Sequence, residues 1–176
     1  MNFGLYGYNT LAGTGGFIGT ATIASSNAID TCTNELVATY AAALANLPPC
    51  IAMPALVDGT IVTPGYYCQA AYITIAAAVT ITLDAEGNAN AEFVFVSAAA
   101  ITTGDSVHSM IEGGATFENI FWIATGAVTL GGNIISQGTF ISAAALTLGV
   151  NARIYGRALV NAAATMGAGS SIHISD

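Results

Sequence analysis

The sequence contains no lysine, and its two arginines are Arg153 and Arg157. Ten Asp and Glu residues oppose them, so the formal net charge is −8 at pH 7. Proteins that bind nucleic acid neutralise its phosphates with Lys and Arg side chains. The composition therefore excludes nucleic acid as a partner. Large apolar residues are nevertheless spread evenly along the chain, which indicates one folded domain over residues 1–176 rather than a disordered segment.

The chain also lacks a continuous apolar run. Residues 119–152 contain no charged side chain, a length sufficient for a membrane span. The segment includes Gly131, Asn133 and Gln137 and alternates with a period of two, so no membrane span is predicted. Residues 1–3 lack the basic start of a signal peptide. Either a leader was removed from a secreted precursor or the protein never had one; we expect a secreted, extracellular protein.

Cysteines are few, and catalytic motifs are absent. Because Cys32, Cys50 and Cys68 are odd in number, one internal bridge leaves one thiol over. Cys50 could pair with Cys68 or with Cys32, and packing without a bridge is the alternative. No CxxC spacing, HExxH, GxSxG or GxGxxG occurs. The carboxylates fall at turns rather than as the pair that glycoside hydrolysis needs. The sequence therefore predicts no enzyme, no metal and no cofactor.

What the chain does contain is a short motif that recurs at a fixed interval. Residues 127–131, 145–149 and 163–167 carry the pattern Ala-x-Thr-x-Gly, each copy equally far from the next. The motif also occurs earlier, at 100–104 and in looser form at 72–76, after two longer intervals. A period of about 18 residues suits one turn of a β-solenoid with three short strands. The chain is therefore predicted to form a mainly β, three-faced solenoid.

The small residues of the motif should form one flat surface. Side chains alternate across a strand, so residues such as Val128 and Leu130 point inward while Ala, Thr and Gly point outward. Stacked coils bring these positions into register, with rungs about 4.8 Å apart. Threonine is favourable on any exposed strand, but an ordinary solvated face would also carry large charged side chains. The candidate binding residues are Thr74, Ala100, Thr102, Ala127, Thr129, Ala145, Thr147, Ala163 and Thr165.

A helix and two further faces complete the predicted architecture. Residues 31–47 should form one α-helix with an apolar stripe, ended by Pro48 and Pro49. Strands that are apolar on both sides should receive this helix, with Trp122 buried between helix and solenoid. Residues 1–29 suggest one or two strands of undefined register. The strands that are apolar on both sides are 93–96, 121–123, 140–141 and 158–160. The outward residues of the third face are His108, Ile135, Arg153, Tyr155 and His173.

Four longer motifs occur in order along the chain. They are TPGYY at 63–67, LDAEGNANAEFVF at 83–95, IFW at 120–122 and GRAL at 156–159. These motifs resemble TPGVY, LDAxGxxxAxFxF, NVFW and GRALA of the bacterial and algal ice-binding protein family known as DUF3494. The similarity covers roughly residues 62–174, the predicted regular coils, and the helix before them. It implies a right-handed, discontinuous solenoid with one α-helix alongside, which adsorbs to ice through its flat face.

The resemblance predicts a monomeric antifreeze protein whose partner is the ice surface. Such a protein would give thermal hysteresis and inhibit ice recrystallisation. The alternative is a non-catalytic adhesive or structural β-solenoid that binds a cell-surface polymer. That protein would share the fold and the low charge, but it would not need one face cleared of bulky residues. The behaviour of ice crystals in the presence of the protein distinguishes the two.

Overall fold

The computed structural model describes residues 49–173 and the backbone of residues 11–13. The predicted helix at 31–47 lies outside the described residues, and no α-helix occurs within them. The described part of the chain is mainly β, with one short 3-10 helix at Phe117–Asn119. Its strands are β1 Leu11–Gly13, β2 Ile51–Ala52, β3 Thr60–Val62, β4 Gly65–Gln69, β5 Ile73–Ile75, β6 Thr80–Asp84, β7 Phe93–Ser97, β8 Ile101–Thr103, β9 His108–Glu112, β10 Ile120–Ala124, β11 Val128–Leu130, β12 Ile135–Ser142, β13 Leu146–Leu148, β14 Arg153–Val160, β15 Ala164–Met166 and β16 Ser171–His173.

These strands wind into coils with three faces, and the pairings between them are parallel. The flat face has the spatial order β5, β8, β11, β13, β15, β1. The second face consists of β2, β4, β7, β10 and the C-terminal halves of β12 and β14. The third face consists of β3, β6, β9, the N-terminal halves of β12 and β14, and β16. Each complete coil contributes one rung to every face, as the period of the motif predicts.

Glycines allow β12 and β14 to turn from the third face to the second without ending. Gly138 and Gly156 are paired, and they have φ values of 108° and 145°. These values lie in a region that side chains with a Cβ rarely occupy. A Cβ on Gly156 would also collide with the backbone of Gly138. Close stacking of the coils at this corner therefore requires glycine in both.

The first described strand lies beside the last strand of the flat face. In β1, Leu11, Ala12 and Gly13 pair with Ala164, Thr165 and Met166 of β15. The other end of the flat face is β5, so the N-terminal strand lies at the end where the chain finishes. The spatial order is therefore discontinuous in sequence. Part of the segment 1–29, whose register could not be predicted, thus adds a strand to this face.

The interior contains a column of stacked aromatic rings. Trp122 is 2% exposed and stacks on Phe95 and Phe140, with centroid distances of 4.1 and 5.9 Å, and Tyr67 stacks on Phe95 at 5.5 Å. The indole Nε1 donates a hydrogen bond to the carbonyl oxygen of Gln137 at 3.0 Å. The prediction that Trp122 is buried is confirmed, but its predicted position against the helix is wrong. In β10, alternation directs Trp122 into the solenoid.

The second face is also apolar on its outer side. Alternation places Val94 and Val96 of β7 outside, whereas Phe93 and Phe95 are completely buried inside. Val96 is nevertheless only 9% exposed. The outward column through Val96 continues with Ile123, Ile141 and Leu159 in register. Apolar residues on both sides explain why these strands lack an alternating sequence pattern.

The third face is the irregular one, as predicted. His108, Ile135 and Arg153 pair across β9, β12 and β14, and Tyr155 pairs with His173. Arg153 is exposed, and the other four residues are half-buried. Bulky side chains of different length therefore stand next to each other along this face. It offers no flat surface comparable to the one formed by the repeated motif.

Candidate functional site

The threonines of the repeated motif form one straight ladder on the flat face. Thr129 pairs with Thr102 on one side and with Thr147 on the other, and the pairing extends to Thr74 and Thr165. All five threonines are exposed. Neighbouring rungs of a sheet lie about 4.8 Å apart. The chain therefore presents a row of methyl and hydroxyl groups at a constant interval.

Buried residues on either side of each threonine fix its direction. In β13, Leu146 and Leu148 are each 1% exposed, and Thr147 between them points outward. The strands β5, β11 and β15 show the same buried, exposed, buried pattern. Because threonine is branched at Cβ, its side chain has few rotamers to lose. The ladder is thus held by the core beneath it and by the stiffness of its own side chains.

Alanine forms a second column beside the threonines. Ala100, Ala127, Ala145 and Ala163 lie two residues before the threonines and are half-buried. Their carbonyl oxygens accept hydrogen bonds of 2.9–3.0 Å from backbone N–H groups of the neighbouring coil. The sequence-predicted alanines therefore lie on the same face as the threonines. Their methyl groups fill the surface without rising above it.

Glycine forms the third column, on the other side of the threonines. A Cβ on Gly149 would come within 2.6 Å of the Gly131 carbonyl carbon, and one on Gly167 within 2.7 Å of the Gly149 carbonyl carbon. Real Cβ atoms do not approach backbone atoms so closely, so the coils can stack here only with glycine. The close stacking keeps this edge of the face level. Size is therefore restricted in the glycine column.

Serine hydroxyls hold the corner where the second face meets the flat face. The buried Ser97 Oγ lies 2.8 and 3.0 Å from the carbonyl oxygens of Ala71 and Ala100, so its single hydrogen is shared between them, and it accepts from the N–H of Ala99 at 3.2 Å. Ser142 makes the equivalent bonds to Gly126, Ala145 and Ala144. Each serine joins its own coil to the adjacent one, which helps to fix the start of the rungs.

The opposite edge of the flat face uses the same turn in every coil. Four residues after each threonine, the backbone enters the left-handed region, at Ala78, Ser106, Asn133, Asn151 and Gly169. Asn and Gly tolerate this conformation better than other residues do. The repeated turn keeps the threonines in phase, even though the coils that begin at Thr74 and Thr102 are longer than those that begin at Thr129 and Thr147.

Within the part of the chain that the structure describes, one bulky residue lies on the flat face. Since Ile73 pairs with Ile101, Tyr72 occupies the position next to Ala100 in the alanine column. Its side chain is 63% exposed. Sequence analysis recognised the looser motif at 72–76 but did not identify the tyrosine as a departure from flatness. The only signal for it was the missing alanine at this position of the repeat.

Charge is excluded from the flat face within the described residues. Its strands β5, β8, β11, β13 and β15 contain no Asp, Glu, Lys, Arg or His. In the adjoining turn, the carboxylate oxygen Asp105 Oδ1 accepts a hydrogen bond from the Gly132 N–H at 2.7 Å. By contrast, the second face carries an ionisable side chain, the Tyr66 phenol, and burial raises its pKa. The flat face therefore presents a level, uncharged surface on which threonine hydroxyls are evenly spaced.

Groups that could support catalysis or bind metal lie away from the flat face in the described residues, and Asp84 and Glu112, at the ends of β6 and β9, occupy one register position. No cluster of three His, Cys, Asp or Glu residues suited to a metal occurs in the described residues. His173 Nε2 lies 2.6 Å from Ser171 Oγ, and the ring stacks on Tyr155 at 5.3 Å, which places it on the third face. Asp84 Oδ1 accepts the Glu86 N–H in a turn. Within residues 49–173 there is also no helix long and apolar enough to cross a membrane.

A disulfide joins Cys50 to Cys68, with 5.7 Å between their Cα atoms. Cys50 lies immediately before β2, and Cys68 lies in β4, the strand that pairs with β2. The structure thus selects one of the two pairings that the sequence left open. Cys32 lies outside the described residues. The bridge attaches the terminal strand of the second face, which among the described residues has one neighbouring strand.

Removal of this bridge should lower stability without altering the flat face. Because a cross-link restricts the unfolded chain, the double variant Cys50→Ser, Cys68→Ser should lose about 2–4 kcal/mol of unfolding free energy. Urea titration monitored by circular dichroism measures the loss. Peptide mapping of the unreduced protein should recover residues 50 and 68 in one cross-linked fragment. Recovery of both as free thiols would contradict the assignment.

Comparison with known proteins places these features in one family. A family model described as Ice-binding-like matches residues 4–171. A curated protein of Flavobacterium frigoris (strain PS1), named "Ice-binding protein", is 33% identical over 87 residues. That match covers 46% of this chain and 30% of the curated relative. The match therefore spans less than a third of that relative's length.

Solved structures show the same fold. An ice-binding protein from an Antarctic biological consortium has a TM-score of 0.79 at 24% identity, covering 97% of this chain and 87% of that one. An ice-binding protein from the Antarctic ascomycete Antarctomyces psychrotrophicus has a TM-score of 0.80 at 21% identity, covering 99% and 94%. At this level of identity the likeness establishes a shared architecture. The residues that carry a function must be argued from the present chain.

Proposed function

The chain belongs to the Ice-binding-like family, and from this premise we propose that it adsorbs to ice crystals through the flat face. The observation that carries the proposal is the ladder of five exposed threonines in direct register. Its repeat of about 4.8 Å is close to an oxygen repeat of the ice lattice. Adsorbed molecules would hinder growth of the crystal between them. The expected results are thermal hysteresis and inhibition of ice recrystallisation.

The chemistry of the face suits a solid made of water. Threonine methyls can cage ordered water molecules, while the hydroxyls donate and accept hydrogen bonds that anchor them. Alanine and glycine on either side add apolar surface without height, and the absence of charge in the described strands leaves no strongly hydrated group to dehydrate. A rigid ladder also loses little conformational entropy when it adsorbs. These properties together favour contact with an ordered surface.

We further propose how the coils wind, where the predicted helix packs, where the protein is located and which oligomeric state it has. Parallel β connections are almost always right-handed, which supports a right-handed winding of the coils. The low exposure of Val96 and Ile123, at 9% and 8%, supports the second face as the one against which the predicted helix at 31–47 packs. The Cys50–Cys68 bridge supports an oxidising, extracellular location. We expect a monomer in solution.

Observation of ice crystals tests the proposed function. A single crystal held just below its melting point in the presence of the protein should become faceted, and it should stop growing over a measurable interval of temperature. The same protein should keep small grains from coarsening in an annealed polycrystalline film. Round, unaltered discs that grow as soon as the solution is cooled would contradict ice binding. That outcome would favour the adhesive solenoid that binds a polymer.

A further inference from the structure

The tyrosine at the end of the flat face differs from every other described residue in its column. Positions equivalent to Tyr72 are Ala100, Ala127, Ala145 and Ala163, all half-buried. Tyr72 is 63% exposed. A phenol ring at this position rises several ångströms above the level that the alanine methyls define. It lies beside Thr74, the first threonine of the ladder.

The backbone that carries this ring is fixed on both sides. The carbonyl oxygen of Ala71 accepts a hydrogen bond from Ser97 at 2.8 Å, and the N–H of Ile73 donates to Ala100 at 3.0 Å. Ile73 is 2% exposed, so alternation directs Tyr72 to the outer side with Thr74. The strand cannot withdraw the ring without breaking these contacts. A flat, rigid lattice would therefore meet the ring before it meets Thr74.

We propose that Tyr72 limits the length of the ice-contacting ladder and keeps the Thr74 rung out of full contact. The inference rests on the proposed function of the flat face. A gap of about 1 Å already forfeits a quarter to a half of the dispersion attraction. Because Tyr72 lies beside the terminal strand β5, ice can end next to the ring instead of covering it, so the nearest rung loses its contact and the others keep theirs. Four rungs, Thr102 to Thr165, then carry adsorption, and Tyr72 sets where the binding surface ends.

The variant Tyr72→Ala restores the alanine column and tests the proposal. It should raise thermal hysteresis at equal molar concentration by at least about 1.25-fold, the ratio of five contacting rungs to four, if adsorbed contacts add along the ladder. Tyr72→Phe keeps the ring and removes only the hydroxyl, so it should match the wild type. Because the side chain is exposed, both variants should unfold at the wild-type temperature.

Wild-type protein and Thr147→Tyr, measured in the same series, separate the two ways in which this experiment can fail. Absence of thermal hysteresis in the wild type would overturn the proposed function itself. An active wild type and an inactive Thr147→Tyr, together with an unchanged or lower activity of Tyr72→Ala, would overturn only the role of Tyr72. An increase in Tyr72→Phe equal to that in Tyr72→Ala would overturn it as well, because the bulk of the ring would then have no effect.

Discussion

Replacement of Thr147 by tyrosine should remove most of the thermal hysteresis and leave the melting curve unchanged. Thr147 stands in the middle of the ladder between Thr129 and Thr165, and its side chain is exposed. A ring at this position would hold the face away from the lattice along its whole length, because a crystal cannot deform around it. Close contact is what gives dispersion and hydrogen bonding their strength. The loss should therefore far exceed the contribution of a single side chain.

Folding should tolerate this change. Tyrosine has a high strand propensity, and substitutions at exposed positions usually alter stability by no more than about 0.5 kcal/mol. Leu146 and Leu148, which anchor the strand in the core, are untouched. The measurement is thermal hysteresis together with a thermal melt of the same sample. Activity equal to wild type in a folded variant would show that the threonine ladder does not contact ice.

The largest loss of stability should follow Trp122→Ala, at about 3–5 kcal/mol. The indole is 2% exposed and is stacked between Phe95 and Phe140 in the interior column. Its removal leaves a cavity between the rings and deprives the Gln137 carbonyl of its donor. For a domain of this size the melting temperature should fall by about 6–20 °C. Thermal unfolding followed by circular dichroism measures the shift.

Tyr155→Ala is the matched control for the loss of an aromatic ring. Tyr155 is half-buried on the third face and stacks on His173 at 5.3 Å, so its removal should cost about 0.5–1.5 kcal/mol beyond any lost burial. Both variants leave the flat face intact, and in the cold, while folded, both should still shape ice. If Trp122→Ala destabilised the protein no more than Tyr155→Ala, the aromatic column could not be the main support of the interior.

The repeated motif allowed the flat face to be predicted because each link from sequence to structure is local. The constant interval between copies of the motif sets the coil, and alternation around Thr129 and Thr147 sets the direction of the side chains. The irregular third face followed from the same reasoning, since His108, Ile135 and Arg153 occupy one register position. Parallel stacking of the coils then places residues that are one period apart next to each other, so the repeated threonines form a row.

Features that depend on pairing between distant parts of the chain could not be predicted from the sequence in this way. The pairing of β1 with β15 joins residues at opposite ends of the chain, and nothing in Leu11–Gly13 specifies this partner. The direction of Trp122 was misjudged because strands that are apolar on both sides give no alternating pattern. The choice of Cys68 as partner of Cys50 required their Cα distance of 5.7 Å. The predicted helix at 31–47 lies outside the described residues.

The flat face can be tested most directly by competition between two variants for growing ice. Thr147→Tyr and Arg153→Tyr introduce the same ring into strands that follow each other along the chain. The first ring lies on the flat face, and the second lies at an exposed position of the third face. The two are mixed in equal amounts, ice is grown slowly into the solution, and mass spectrometry measures the ratio in the ice and in the liquid. Arg153→Tyr should be enriched in the ice, and Thr147→Tyr should remain in the liquid. Equal partition, or enrichment of Thr147→Tyr in the ice, would contradict the threonine ladder as the binding surface.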